Sequence, residues 1–346
     1  MIRTTSVFGV AGLCLAIALI IYEGFGSVIG DLYVGGVGLI WASLFHFIPM
    51  TINAYAWRAL AVGGKRPSLL AFTWTVWVRE AVNGLLPVAR VGGEVVSVAL
   101  LMRRGLTGRF AVGTIIVDMT LSIVSQFVFT VMGLCMLLAR TDDIATLERI
   151  ALGLLLMVPV VIAFVAVQKI GLFELLRRLL KGLFGANWQA LTDGSVELDD
   201  TIRLIYRERI ALALCFFWQF AGWLVGAGEI YLALTFLGHP IDIEDSLMLE
   251  ALAQAVSSAA FIVPGAVGVQ EGGYVLFGAL LGLGPDISLA LALARRVRDL
   301  LIFVPALVVW QFSEGRRFFS SDWFRRLFRT NKLTPPPIVT AAQDDD

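Results

Sequence analysis

The residues in this chain with the greatest chemical potential are acids and arginines set inside apolar sequence. The stretch from Arg79 to Glu94 (REAVNGLLPVARVGGE) carries Arg79, Glu80, Asn83, Arg90 and Glu94, together with Pro87 and the pair Gly92 and Gly93. Charges, proline and paired glycine are what a membrane helix avoids unless protein or a water-filled cavity surrounds them. The same punctuation returns at Pro264 to Glu271 (PGAVGVQE), with Gly265, Gly268 and Gln270 between. Arginines such as Arg90, Arg295 and Arg298 can hold a phosphate or another anionic head group through bidentate hydrogen bonds. Glu94, Glu271 and Asp118 can take up a proton or an ion, or simply partner the arginines. The glycines let backbone approach closely, or let helices pack closely.

In both stretches a proline is followed by a glutamate seven residues on, and the two copies lie 177 residues apart. The offset persists downstream: Gly105-Leu106 falls on Gly282-Leu283, and Asp118 falls on Arg295. This spacing indicates an internal duplication. Asp118, Ser122, Ser125 and Gln126 share one helical face, and Arg295, Arg296, Arg298 and Asp299 interrupt the last apolar run, where Arg295 and Asp299 share a face. Glu229 and Glu250 add two more acids. An ionisable group at bilayer depth costs about 2.5–3.5 kcal/mol on insertion scales, so so many of them need a reason. One reason is mutual pairing that ties helices together. The other is a polar site in mid-membrane, built where helices break.

Of the 346 residues, 58% are hydrophobic and 16% charged, with a mean hydropathy of +0.83. The excess over a soluble domain takes the form of continuous runs. The expected class is all-α and polytopic, with six full spans at about 5–24, 34–57, 110–139, 147–168, 209–237 and 287–312. Two further stretches, about 68–104 and 246–283, are broken by the Pro/Gly/Glu motifs. The apolar run near the N-terminus lacks a clear cleavage site and is expected to be retained as a span. Cys14, Cys135 and Cys215 have no CxxC spacing, and His46 and His239 stand far apart. Packing or interface roles are therefore expected for the histidines, with neither metal nor cofactor. Net charge is zero, which gives no bias towards nucleic acid.

Lys and Arg collect on cytoplasmic connections. Laid over the spans, they put both termini in the cytoplasm and make each broken stretch leave and return on one side. The first opens from the cytoplasm and the second, flanked by Asp242 to Asp245 and Asp286, from outside. Each half then reads span, span, broken hairpin, span, in opposite orientation: an inverted-topology repeat. Two short helices crossing in turn would give the same sidedness, so both forms stay open, with re-entry the expectation. The first half covers 5–139 and the second starts at 147–168. An amphipathic cytoplasmic connection fills 169–208, with an interfacial helix at Gly171–Phe184. The second half resumes at 209–312. A cytoplasmic tail covers 313–346 and is expected to be disordered from about 334.

NGLLPVARVGGE, the arginine pair after it and Asp118, and later VPGAVGVQEG with RRVRD, together resemble the flippase-like membrane domain of lysylphosphatidylglycerol synthases. The chain is more closely similar to stand-alone members of that superfamily linked to bacterial hopanoid biosynthesis. The resemblance covers nearly the whole chain. It implies a bacterial inner-membrane protein that moves a lipid, such as a hopanoid-related one, between leaflets, with lipid- or hopanoid-biosynthesis enzymes as partners. It points to Pro87, Arg90, Gly92, Gly93, Glu94, Asp118, Pro264, Gly265, Gly268, Glu271 and Arg295. The soluble aminoacyl-transferring domain of the full synthases has no counterpart in this sequence, so no catalytic residues are expected. No nucleotide-binding GxxxxGK[ST] loop occurs, so any directional movement would draw on an ion gradient or a downstream sink. Rival readings are a membrane-embedded enzyme using Glu94, Glu271 or Asp118 as acid or base, and a scaffold recruiting lipid-synthesis enzymes through the basic 169–209 segment.

Overall fold

The computed structural model describes residues 25–62, 66–86, 92–140, 195–259 and 268–315. Among the described residues there are helices and no strands. They are α1 (Phe25–Phe45), α2 (Phe47–Ala59), α3 (Leu69–Leu85), α4 (Gly92–Arg103), α5 (Gly108–Ala139), α6 (Ser195–Arg207), α7 (Arg209–Phe236), α8 (Ile243–Ala259), α9 (Val269–Leu280) and α10 (Pro285–Trp310), which runs into a π-helical turn, Gln311–Gly315. The expected spans at 5–24 and 147–168, the interfacial helix at 171–184 and the tail beyond 315 lie outside the described residues.

Among the described residues, three segments are long and apolar enough to cross a membrane: Tyr33–Ala59, Gly108–Ala139 and Arg209–Phe236. They match the expected runs at 34–57, 110–139 and 209–237. The first is not a simple rod. Helix α1 starts at Phe25, earlier than expected, is bent at Gly36 (φ +41°), and meets α2 at His46. Helix α10 is continuous through Pro305, but its charged residues keep it out of that apolar class.

In the first broken stretch the leading helix ends just before Pro87, and in the second the trailing helix starts just after Gly268. Ser68 caps α3 by accepting from the Ala71 N–H at 3.2 Å. The helix stops at Leu86, whose backbone is extended (φ −103°, ψ 144°); the ring of a following proline disfavours helical geometry at that residue. Helices α4 and α9 are each 12 residues long, a rise of about 18 Å against a hydrocarbon core of about 30 Å.

The 177-residue offset reaches into the hydrogen bonding. Helices α4 and α9 start and end 177 residues apart, and so do the starts of α5 and α10. At both α4 and α9 the C-terminus closes on a glycine of positive φ, Gly105 (+96°) and Gly282 (+74°). The next residue's N–H then reaches back, Leu106 to the Leu101 carbonyl (3.1 Å) and Leu283 to the Gly278 carbonyl (2.9 Å). This is a Schellman closure, which needs a left-handed residue and so favours glycine.

Packing follows the same correspondence. Helix α3 packs on its hairpin partner α4, on α2 and on α10; its counterpart α8 packs on α9, α7 and α5. Helix α5 lies against α7, and α10 against α1. Each hairpin is thus held by the final helix of the other set. The seam between α1–α2 and α7 is close because of glycine: a Cβ on Gly38 would sit 2.4 Å from Phe236, and one on Gly222 2.5 Å from the Asn53 Oδ1.

The polarity of the molecule is inverted relative to a soluble protein. Large apolar side chains such as Tyr33, Trp41, Ile210, Leu276 and Phe312 are exposed, while Glu94, Asp118, Glu229, Glu250, Glu271, Arg295 and Arg298 are buried. A hydrocarbon solvent around the helices gives that distribution its physical sense.

Candidate functional site

The first constellation forms around Arg79, which α3 projects from the helix just before the break. Its Nη1 donates to Asp118 Oδ2 on α5 at 3.0 Å and lies 3.8 Å from Glu94 Oε2 on α4; its Nε is 3.5 Å from Glu80. Its guanidinium also sits over the Trp57 ring, 4.9 Å from the centroid, a favourable face for a cation. Asp118 is held from the other side by Gln219 of α7, whose Nε2 donates at 2.8 Å. Asn83 joins the hairpin across its break: its Oδ1 accepts the Gly93 N–H at 2.9 Å, and its Nδ2 points to Glu94 Oε1 at 3.4 Å. That contact explains Gly93. A Cβ there would fall 2.5 Å from the Arg79 carbonyl oxygen and 2.7 Å from Asn83.

The second constellation is carried by α10. Arg298 Nη1 donates to both oxygens of Glu229 on α7, each at 2.8 Å, and its Nη2 to Asp299 at 2.6 Å. Arg295 makes a bidentate pair with Glu250 of α8, lies 3.8 Å from Glu229, and stands over the Tyr274 ring. Arg296 Nε donates to Glu271 Oε1 at 3.0 Å, and the other oxygen of Glu271 accepts the Gly268 N–H at 2.6 Å. Gly268 enters α9 at φ +81°, a conformation that costs glycine little.

One cavity of about 360 Å³ joins the two constellations. Arg79, Glu80, Asn83, Glu94 and Asp118 line one part of it; Gln270, Arg295, Arg296, Arg298 and Asp299 line another. Ser122 and Gln126 extend the polar face of α5 along it, and Gln126 donates to Ser258, tying α5 to α8. Ser125, on the same helix, is buried and accepts from Trp223 Nε1 at 3.1 Å. Of the residues predicted for the site, Gly92 and Gly93 open α4, while Gly268 and Glu271 anchor the start of α9 behind the arginines. Pro87, Arg90, Pro264 and Gly265 lie outside the described residues.

Several members were not singled out from the sequence. Nδ1 of His46 lies 2.9 Å from Glu229 Oε2 and 3.1 Å from Arg298 Nη1, so this histidine joins the ionic network at the α1–α2 junction. Gln219, Trp57 and Tyr274 sit in apolar runs that give no local signal, and only packing brings them to the charges. Helix α6 was also unforeseen as a separate element. Leu198, Ile202 and Ile205 lie at helical spacing and face the hydrophobic core beside α5, with Ile205 fully buried; that period was the available signal.

An apolar exterior, membrane-length helices and a charged cavity between two matching sets of helices define a polytopic membrane protein with a polar interior site. The family described as the lysylphosphatidylglycerol synthase TM region matches residues 7–306, and this chain belongs to it. The chain is also similar to a UPF0104 membrane protein of Pyrococcus horikoshii, 24% identical over 288 residues, covering 78% of this chain and 84% of the relative. No solved structure matches.

Proposed function

We propose that this protein moves a lipid between the leaflets of a bacterial inner membrane, with the polar head group passing through the central cavity and the acyl portion staying in the bilayer. The observation that carries this reading is the single cavity lined by charged residues of both helix sets and enclosed by helices with apolar exteriors. Such a site at the junction of two repeats is the usual arrangement of secondary transporters, which expose it to each side in turn. The family membership supports a lipid-related role.

In this reading the two sets form an inverted repeat, with both termini in the cytoplasm. The matching boundaries of α4 and α9 and the reciprocal packing of each hairpin on the other set support the repeat. The length of α4 and α9, too short to span, supports re-entrant hairpins. The reading assigns transport and no catalytic step to this chain; a hopanoid-related lipid and its synthesis enzymes are the cargo and partners to test first. The arginines of the cavity are already engaged by carboxylates, so an anionic head group would have to share them.

The test is reconstitution into vesicles containing head-group-labelled fluorescent lipids, with dithionite added outside. Wild-type protein is expected to expose the inner-leaflet label, and Glu271→Gln to leave it protected while still inserting. Protection retained by the wild type, across several lipid classes and with insertion verified, would overturn the reading. Turnover of a labelled lipid by the purified protein would favour an enzyme instead.

A further inference from the structure

Glu94 and Glu271 occupy matching positions, 177 residues apart, at the starts of matching helices, yet their carboxylates are satisfied to different degrees. Glu271 has a donor on each oxygen: the Arg296 guanidinium on one and the Gly268 N–H on the other. The residue that corresponds to Arg296 in the first set is Met119, which lines the cavity and offers no donor. Glu94 is left accordingly. Its side chain is 8% exposed. Among the described residues its Oε1 has only the long contact to Asn83 at 3.4 Å, and its Oε2 has no hydrogen-bond partner.

The groups that face it are accounted for by element. From α3 come Arg79, Glu80 and Asn83; from α5, Asp118. Arg79 is committed to Asp118 at 3.0 Å and stands 3.8 Å from Glu94, beyond hydrogen-bond reach. On α4 itself, Ser97 is buried and its hydroxyl also lacks a partner. Among the described residues, three carboxyl groups, Glu80, Glu94 and Asp118, thus surround the one cation Arg79. An ionised carboxylate with a buried oxygen and no donor is costly, whereas a protonated one is neutral and becomes a donor itself.

We propose that Glu94 is an exchangeable proton-binding site opening on the cavity. One proton from the aqueous phase converts its carboxylate to the acid, and no other bond is made or broken. On release, the carboxylate competes with Asp118 for Arg79, which is the only guanidinium within 4 Å of it among the described residues. Coupling of this event to lipid movement rests on the translocator reading; the proton site does not.

The test is infrared difference spectroscopy of the protein in lipid nanodiscs, titrated from alkaline to acid pH in sodium-free buffer. Subtracting Glu94→Gln from wild type is expected to leave one carboxylic-acid carbonyl band, which Glu94→Asp restores at a shifted frequency. Met119→Arg, which supplies the donor that Glu271 already has, is expected to lose the band. Identical spectra for wild type and Glu94→Gln would overturn the proposal. So would a sodium-dependent shift of the carboxylate band at constant pH with no acid band, which would make this a sodium site. A band lost in Glu94→Gln, in a wild-type protein that moves no lipid in the vesicle assay, would uphold the proton site and remove the translocator reading.

Discussion

At the scale of single residues, the ionic contacts divide by exposure. Arg298 and Glu229 are both buried and answer one another with two hydrogen bonds. Arg298→Ala leaves Glu229 with His46 and the more distant Arg295 (3.8 Å), and breaking a buried pair in this way is expected to cost about 3–5 kcal/mol. Unfolding in detergent should show that loss, and the double replacement Arg298→Leu with Glu229→Leu should recover most of it. Arg140, by contrast, pairs with Glu244 and Asp245 at an exposed position. Arg140→Ala is expected to change stability by no more than about 1 kcal/mol. Glycines divide in the same way. Gly93→Ala drives a Cβ into the Arg79 carbonyl and Asn83 and is expected to cost about 1–3 kcal/mol, as overpacking does. Gly272→Ala meets nothing within 4 Å, and in the interior of α9 it is expected to stabilise by up to about 1 kcal/mol. Glu94, Asp118, Arg295 and Arg298 stood out in the sequence because a charge in an apolar run is costly wherever it lies. Some of their partners did not, since a hydrogen bond between residues 101 or 183 positions apart, as Gln219 makes with Asp118 and His46 with Glu229, leaves no local trace. Trp57, whose ring faces the Arg79 guanidinium, gave no signal either.

At the scale of elements, the two broken hairpins make a directional prediction. If they are re-entrant and inverted, the ends of the first open on one side of the membrane and those of the second on the other. In a cysteine-free background, Arg66→Cys and Arg104→Cys should react with an impermeant maleimide from the same face. His239→Cys and Asp286→Cys should react from the opposite face. Labelling of positions 66 and 104 from different faces would mean that the first stretch crosses the bilayer. Helix ends were legible because proline restricts the backbone locally and glycine admits the positive φ at which helices close. The bend at Gly36 and the junction at His46 were not legible. One glycine among many in an apolar run carries no mark, and the bend depends on what α1 packs against.

At the scale of the whole molecule, reciprocal packing makes each hairpin depend on the other set's last helix, and a glycine seam joins α1–α2 closely to α7. Gly222→Leu places a branched side chain against Asn53 and Ile52. It is expected to lower the unfolding temperature in detergent and to abolish lipid movement in vesicles, whereas Gly226→Ala, whose Cβ meets nothing within 4 Å, should leave the unfolding temperature near wild type. The sequence by itself determined that this is a helical membrane protein with matching broken hairpins and charges held inside. Composition, run length, proline and the 177-residue spacing are local or periodic quantities, and bilayer thickness converts them directly into elements. Only the tertiary structure decided that the charges meet in one cavity, which acid pairs with which arginine, and that Glu94 lacks the donor its counterpart has. Those outcomes depend on how helices distant in sequence pack, and packing is settled by side-chain shape and burial over the whole fold.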